Sequence, residues 1–163
     1  MSKTIIASIF WGFYESAEIR FAEKYFKGDT DIVELGSSCG IVSSHFVSKL
    51  QAYNKIIAVE ANSKLLEVLK TNMERYKHNN EEIIILNNVL HYGAAEVSFH
   101  ISNNTTESRI ADEHNHSEHI VTIPAITLDS IVDKYQLNNY SLVCDIEGAE
   151  AALFINETAA LSN

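Results

Sequence analysis

The chain has 163 residues, enough for one domain with a hydrophobic core but hardly for two. Apolar residues make up 46% and charged residues 21%, a balance typical of a soluble globular protein. The net charge of −10 disfavours nucleic acid, because phosphate binding needs clustered lysine and arginine. No apolar run reaches the ~18 residues that cross a membrane. We therefore expect a neutral or small-molecule substrate, with neither nucleic acid nor a membrane as partner.

Cysteine usage and the first residues indicate a cytoplasmic protein. Cys39 and Cys144 stand in no paired metal pattern, so we expect reduced thiols in an intracellular chain. The apolar stretch 4–14 follows Lys3 but lacks a small-residue cleavage site and runs into acidic residues. We interpret it as an N-terminal packing segment and not as a signal peptide.

Apolar periodicity predicts alternating helices and strands. In chain order these are a helix over 14–26, a strand over 31–35, a helix over 41–50, a strand over 55–60, a helix capped by Asn62, a strand over 82–89, two strands of alternating pattern over 95–101 and 120–126, a helix over 127–135, a strand over 140–146 and a helix over 148–161. The alternation predicts an α/β fold with a doubly wound, mostly parallel sheet. The alternating pair near 95–126 predicts an inserted antiparallel unit.

A glycine loop follows the first predicted strand. That strand carries Glu34, the loop runs from Gly36 to Gly40, and the second strand ends about twenty residues later in Glu60. This is the layout of a βαβ nucleotide-binding half. The G-x-x-x-G spacing lacks the middle glycine of dinucleotide sites and the Lys-Ser/Thr of a P-loop, so it favours S-adenosylmethionine, which presents no phosphate. A carboxylate at a strand tip can accept two hydrogen bonds from ribose hydroxyls, which assigns this role to Glu60.

Three segments resemble the FkbM-type family of S-adenosylmethionine-dependent methyltransferases, and together they span most of the chain. Val33–Gly40 resembles the family's cofactor loop, and Ala58–Asn62 resembles its ribose-binding strand end, although Ala61 stands where the family often has proline. Leu128–Ile131 followed by Val143–Glu150 resembles its LDs…D-x-E-G-x-E signature. The resemblance implies a Rossmann-like class I methyltransferase fold and methyl transfer, usually to oxygen.

The resemblance also implies a set of site residues. The cofactor loop would comprise Glu34, Gly36, Ser37, Cys39 and Gly40, the ribose would meet Glu60 and Ala61, the adenine would be bordered by Asn88 and Val89, and Asp145 and Glu147 would lie beside the methyl donor with Glu150 nearby. Either Asp145 or Glu147 could act as the base for a hydroxyl acceptor. The alternative is that they orient the backbone or cap the helix after Gly148.

The family's sheet normally continues beyond the helix that follows Glu150, whereas this sequence stops at Asn163. Two explanations stay open: a truncated form of such a domain, or a partner chain, for instance a second copy, that covers the open strand edge. Within a single domain over 1–163 we expect an N-terminal helical segment (1–30), a cofactor-binding half (31–90), inserted strands with a polar loop (91–126) and a signature strand with the last helix (127–163).

Several other polar residues invite functional interpretations. His91, just past the third strand, could be a base, although a surface histidine is the simpler interpretation. The stretch Asp112–His119 holds His114, His116 and His119, whose spacing matches no structural zinc pattern, so we expect no metal site but a solvated loop that could act as a lid. Arg109 could contact an anionic substrate group.

The leading hypothesis is an O-methyltransferase that acts on a small-molecule or sugar hydroxyl. The rival hypothesis is a non-catalytic S-adenosylmethionine-binding or interaction module. A nicotinamide-dependent oxidoreductase is disfavoured by the absent middle glycine.

Overall fold

A computed structural model describes residues 16–78, 80–101, 109–110, 120–146, 148–158 and 160–162. The helices are α1 (Ser16–Tyr25), α2 (Ile41–Val47), α3 (Leu66–Tyr76), α4 (Leu128–Tyr135) and α5 (Glu150–Asn156), followed by a short 3-10 helix (Ala160–Ser162). The strands are β1 (Asp31–Leu35), β2 (Lys55–Val59), β3 (Glu82–Leu86), β4 (Val89–Leu90), β5 (Glu96–His100), β6 (Arg109–Ile110), β7 (Ile120–Ile126) and β8 (Tyr140–Cys144). The predicted packing segment over 4–14 lies outside the described residues.

The central sheet has the strand order β3-β2-β1-β8, and its neighbours all pair in parallel. Alternate residues of β1 point to opposite faces, because side chains in a strand repeat every two residues. Ile32 packs with α1, α2 and α3, whereas Val33 and Leu35 pack with α4 and α5. Helices thus cover both faces, which confirms the predicted parallel α/β architecture and is consistent with a Rossmann-like fold.

The prediction of one continuous strand over 82–89 is wrong at its end. Strand β3 stops at Leu86, and after Asn87 and Asn88 the chain forms β4, which pairs with β7 in a second sheet. The reason is the side chain of Asn87, whose Nδ2 donates to the carbonyls of Glu60 and Ala61, at 2.9 Å each. A side-chain amide that competes with ladder hydrogen bonds ends regular pairing.

The second sheet has the order β4-β7-β5-β6. Strands β5 and β7 pair antiparallel, with Phe99 opposite Val121, as their alternating pattern predicted. A small core forms between them from Val89, Phe99, Ile101 and Ile123. The predicted polar loop contains β6, and the rest of it, with His114, His116 and His119, lies outside the described residues.

Several predicted helix boundaries shift. The helix after the glycine loop ends at Val47 and not at position 50, and Lys49 instead donates from Nζ to the carbonyls of Ala22 and Glu23 at the end of α1. Asn62 caps the turn before α3 by accepting from the amide of Lys64, while the residue at the helix N-cap is Leu65.

Helix α4 begins where predicted, in a capping box between Thr127 and Ser130. The helix predicted over 148–161 divides into α5 and a 3-10 turn, because the carboxylate of Glu157 turns away to bind the start of α4. None of the helices in the described part of the chain has both the length and the hydropathy needed to cross a bilayer.

Candidate functional site

The candidate site lies at the carboxyl ends of β1, β2 and β8, where open α/β sheets place their ligands. The loop after β1 is tied to both neighbouring strands. The backbone N–H groups of Gly36 and Ser37 both donate to the carbonyl of Val59, at 3.0 and 3.1 Å, and the N–H of Asp145 donates to the carbonyl of Leu35 at 2.9 Å. The structure therefore brings the predicted cofactor loop, the end of β2 and the end of β8 together.

The two loop glycines are required by packing within the protein. Gly36 has φ +88°, and a Cβ built there would lie 1.9 Å from the carbonyl oxygen of Asp145. Gly40 has φ +79°, and its Cβ would lie 2.7 Å from Cδ1 of Leu69. Residues that carry a side chain rarely adopt such backbone angles, and neither position has space for a Cβ atom. From the sequence, we predicted that these glycines allow a ligand to approach the backbone closely, and this stays a prediction. Their contacts within the protein already require glycine.

Glu34 and Ser37 are both buried beneath the loop. The hydroxyl of Ser43 donates to the Glu34 carboxylate, so this side chain holds the first turns of α2. The hydroxyl of Ser37 lies 3.4 Å from the carbonyl oxygen of Glu34. A carboxylate beneath the start of a helix is stabilised by the free amides and the dipole there. Whether Glu34 and Ser37 also line the methionine part of a cofactor stays a prediction.

Glu60 is the central side chain of the site and is only 8% exposed. Its Oε2 accepts from the N–H of Ser38 at 2.8 Å, and its Oε1 accepts from the N–H of Asn62 at 2.6 Å. Burial raises the pKa of Glu60, and the two backbone hydrogen bonds oppose that rise. Each carboxylate oxygen has a second lone pair, so two ribose hydroxyls could still be accepted.

Cys39 and Ala61 contribute backbone atoms to the same region. Cys39 is buried, and its carbonyl accepts from Nδ2 of Asn72 in α3 at 2.8 Å. Ala61 packs against the core of the second sheet. Its carbonyl accepts from Asn87, so the turn after Glu60 is held from the end of β3.

Asn88 and Val89, the predicted adenine neighbours, both face the second sheet. Nδ2 of Asn88 donates to the carbonyl of Pro124 at 3.1 Å. The side chain of Val89 is buried in the core of that sheet. Their contacts therefore lie on the second sheet, and an adenine boundary at these residues stays a prediction.

Asp145 follows β8, and its side chain is exposed. Desolvation raises its pKa, and so do the negative charges of Glu18 in α1 and of Glu150. Glu150 accepts from the N–H groups of Ile146 and Gly148, at 3.3 and 2.8 Å. Its own backbone N–H, and after it these two bonds, lower the pKa of the Glu150 carboxyl. Glu150 thus fills the backbone-orienting role that was the alternative for its neighbours. Glu147 lies outside the described residues.

The remaining titratable groups contribute less to the site. Burial, Glu150 and Asp145 together raise the pKa of Cys144 to about 11, so its thiol is protonated at neutral pH. Nδ1 of His91 is buried and finds no hydrogen-bond partner within the described residues, while its backbone N–H donates to Ile126. Arg109 lies in β6. The described part of the chain holds no cluster of three or more metal-ligating side chains.

Two residues with structural importance escaped the sequence interpretation. Asn87 stands in an Asn-Asn pair after an apolar strand, a turn signal that was available in the sequence. Glu157 is 1% exposed and accepts from the hydroxyl of Tyr92 and from the N–H groups of Leu128 and Asp129. Nothing in the sequence distinguishes Glu157 from a surface acid at the end of a helix.

A family model described as the methyltransferase FkbM domain matches residues 40–163, which is more than half of the chain. The chain belongs to the FkbM methyltransferase family. The resemblance predicted from the sequence is thereby confirmed. The FkbM match contains Glu60, Asn88, Val89 and Asp145, whereas Glu34 and Gly36 precede it. Searches among curated proteins and among solved structures found no match.

Proposed function

We propose that this chain is an S-adenosylmethionine-dependent methyltransferase that transfers a methyl group to a hydroxyl oxygen of a small molecule or a sugar. The family supports methyl transfer in general. The cofactor, the oxygen acceptor and the substrate class are proposals that depend on the geometry of the glycine loop and of the end of β8.

The observation that carries the choice of cofactor is the use of the loop's own N–H groups. Gly36 and Ser37 donate to Val59, Ser38 donates to Glu60, and Gly40 donates to the carbonyl of Ser37 at 2.9 Å. Phosphate sites need such amides directed at the ligand. In this loop, these N–H groups donate to acceptors within the protein. This favours a nucleoside without a phosphate, such as S-adenosylmethionine, and disfavours a dinucleotide.

When bound, S-adenosylmethionine would supply a methyl group already activated by a positively charged sulfur. Glu60 would hold the ribose hydroxyls, and the loop from Gly36 to Gly40 would border the methionine part. Because Gly36 touches the backbone of Asp145, the acceptor and the nucleoside would lie on adjoining surfaces. Alignment of two reactants in this way can contribute on the order of 7–11 kcal/mol to a displacement reaction.

Asp145 would act as the base. Its carboxylate would accept the hydroxyl proton that the acceptor loses when the acceptor oxygen takes the methyl group from the sulfur. Partial desolvation and the negative charges of Glu18 and Glu150 raise the pKa of Asp145, which makes its carboxylate a stronger base than an ordinary aspartate. Glu147 is the second candidate for this role from the signature sequence.

Calorimetry with S-adenosylhomocysteine tests the binding half of the proposal. We expect binding by the wild type and a loss of roughly 1–3 kcal/mol in Glu60→Ala, because a charged hydrogen-bond acceptor is removed. NAD is the matched negative ligand. Binding of NAD and not of S-adenosylhomocysteine would overturn the choice of cofactor.

Methyl transfer to a panel of hydroxyl acceptors tests the catalytic half. Asp145→Asn should lower turnover and leave the affinity for S-adenosylhomocysteine close to that of the wild type, while Asp133→Asn on the exposed side of α4 should change neither. Equal turnover in Asp145→Asn would remove Asp145 from the chemistry. Binding without turnover on any acceptor would favour the non-catalytic module.

A further inference from the structure

One loop residue adopts a backbone conformation that its side chain disfavours. Within the described residues, three positions other than glycine have positive φ: Ser38 at 48°, Tyr53 at 74° and Gln136 at 53°. Gln136 ends helix α4, where this conformation is common. Tyr53 stands in the exposed turn before β2. Ser38 lies in the middle of the glycine loop, so some interaction must offset the conformational cost there.

The carboxylate of Glu60 contributes such an interaction, beside the turn hydrogen bond from the N–H of Gly40 to the carbonyl of Ser37. It joins two backbone N–H groups from different segments, that of Ser38 in the loop and that of Asn62 after β2. Glu60 is itself held on both sides, since its N–H donates to the carbonyl of Leu86 at 3.0 Å and its carbonyl accepts from Asn87. A buried carboxylate fixed in this way is a rigid anchor for the loop, and charge-assisted hydrogen bonds are the strong ones.

We propose that Glu60 is a positioning residue for the glycine loop as well as a ligand of the nucleoside: its carboxylate holds Ser38 in the left-handed conformation, and thereby the loop from Gly36 to Gly40 in its binding shape, before any ligand arrives. Only the identity of the ligand rests on the proposed function. The positioning role rests on the contacts of the unliganded chain.

The two roles of Glu60 make different predictions for a second substitution. Glycine adopts positive φ without the penalty of a Cβ, so S38G lets the loop keep its shape with less help from Glu60. If Glu60 positions the loop, S38G should rescue a Glu60 variant. If Glu60 only binds the ribose, S38G should change the affinity by the same factor with either residue at position 60, as independent sites do.

The first measurement needs no ligand. Amide hydrogen exchange of Gly36 and Gly40 is compared among the wild type, E60Q, S38G and the double variant. We expect E60Q to speed this exchange about 10-fold, because the glutamine amide group cannot accept from both backbone N–H groups. The double variant should recover most of that protection. Unchanged protection in E60Q overturns the proposal.

The second measurement is the affinity for S-adenosylhomocysteine. We expect E60Q to weaken binding about 10- to 30-fold, and S38G to improve the affinity of E60Q about 3- to 10-fold relative to whatever change S38G makes in the wild type. Y53G is the matched control, because it relieves the same backbone conformation in a turn that does not touch Glu60; it should restore nothing. Equal effects of S38G in both backgrounds overturn the proposal.

The two measurements separate this proposal from the proposed function. A wild type that does not bind S-adenosylhomocysteine contradicts the cofactor assignment, while hydrogen exchange still decides the positioning role. If E60Q does not fold, E60D replaces it, because its shorter carboxylate keeps the charge but does not span the amides of Ser38 and Asn62. Rescue of E60D by S38G is then the expected result, and its absence contradicts the proposal.

Discussion

Gly36 and Gly93 have nearly the same backbone angle and very different surroundings. Their φ values are +88° and +89°, yet a Cβ at Gly36 would lie 1.9 Å from the Asp145 carbonyl oxygen, while a Cβ at Gly93 would meet nothing within 4 Å. The pair therefore separates the cost of the backbone conformation from the cost of a collision. The cost of a collision reports on the contact between the glycine loop and the end of β8, because only Gly36 makes that contact.

Gly36→Ala should lower the free energy of unfolding by about 2 to 4 kcal/mol, from strain and overpacking together. Gly93→Ala should cost about 1 to 2 kcal/mol, from strain alone. Urea unfolding of both variants measures the difference. Equal losses would contradict the close contact between the loop and the end of β8.

The pKa of Asp145 depends on partial desolvation and on the negative charges around it. Glu18 and Glu150 both raise the pKa of this carboxyl, although desolvation is the larger cause. The folded protein therefore binds more protons than the unfolded chain between pH 3.8, the ordinary value, and the raised folded value. Stability contributed by protonated Asp145 is complete below that window and is lost as the pH rises through it.

Glu18→Gln should lower the pKa of Asp145 by part of its shift, since partial desolvation and the charge of Glu150 remain. The pH window over which stability falls should become narrower. A carbon-13 NMR titration of the Asp145 carboxyl measures this change. Glu67→Gln removes the same charge from the exposed face of α3 and serves as the control. An identical Asp145 titration in Glu18→Gln and the wild type would show that α1 does not act on this carboxyl.

Among the elements, α4 has the most elaborate beginning. Besides the capping box of Thr127, its first two N–H groups donate to Glu157 from the end of α5, at 2.7 Å for Leu128 and 3.1 Å for Asp129. Burial and this carboxylate also raise the pKa of Tyr92, whose hydroxyl donates to it. One buried acid thus joins two helices to the loop after β4.

Glu157→Gln should lower the free energy of unfolding by about 1 to 3 kcal/mol, because its amide group would face the N–H of Asp129 and leave it unpaired. The helix N-terminus would also lose its compensating charge. Glu74→Gln, exposed on α3, should stay within about 0.5 kcal/mol of the wild type. Chemical unfolding compares them, and equal stabilities would show that Glu157 is not needed.

These contacts explain which elements could be predicted from the sequence. Strand β1 and helix α4 begin and end where periodicity and capping residues placed them. The predictions over 82–89 and 148–161 were wrong at their ends, because Asn87 and Glu157 bind backbone groups that are distant in sequence. A local pattern carries no information on such partners.

In the candidate site, too, some features could be predicted from the sequence and others could not. Acids at strand ends were visible as candidates, since the carboxyl ends of parallel strands meet at one edge. The partners of Glu60 and the contact of Gly36 with Asp145 were not visible, because both depend on how neighbouring strands approach each other.

On the scale of the whole molecule, the two sheets differ in how they are buried. Within the residues that the structure describes, the central sheet lies between two large helix-covered clusters, whereas the second sheet encloses the smaller core around Phe99 and Ile123. Regions with few buried apolar contacts open at lower free energy than the core.

Native-state hydrogen exchange should therefore show lower opening free energies for the amides of β5 and β7 than for those of β1 and β2. The reason is that Phe99 and Ile123 pack in the smaller core, whereas Ile126 at the end of β7 packs against the large cluster with α4 and should be better protected. The measurement is repeated at low urea concentrations to distinguish local from global opening. Identical free energies in both sheets would mean that the molecule unfolds as one cooperative unit.

Gly36 lies in direct contact with the main chain of Asp145, so the loop after β1 and the end of β8 are mechanically coupled. Closely packed atoms transmit small displacements. A ligand that shifts the loop after β1 would therefore also shift Asp145, the proposed proton acceptor, so that the reactant that binds first would change the binding site of the second. Initial-rate kinetics with product inhibitors would then reveal a compulsory order of entry, and random entry would indicate that the two places respond separately.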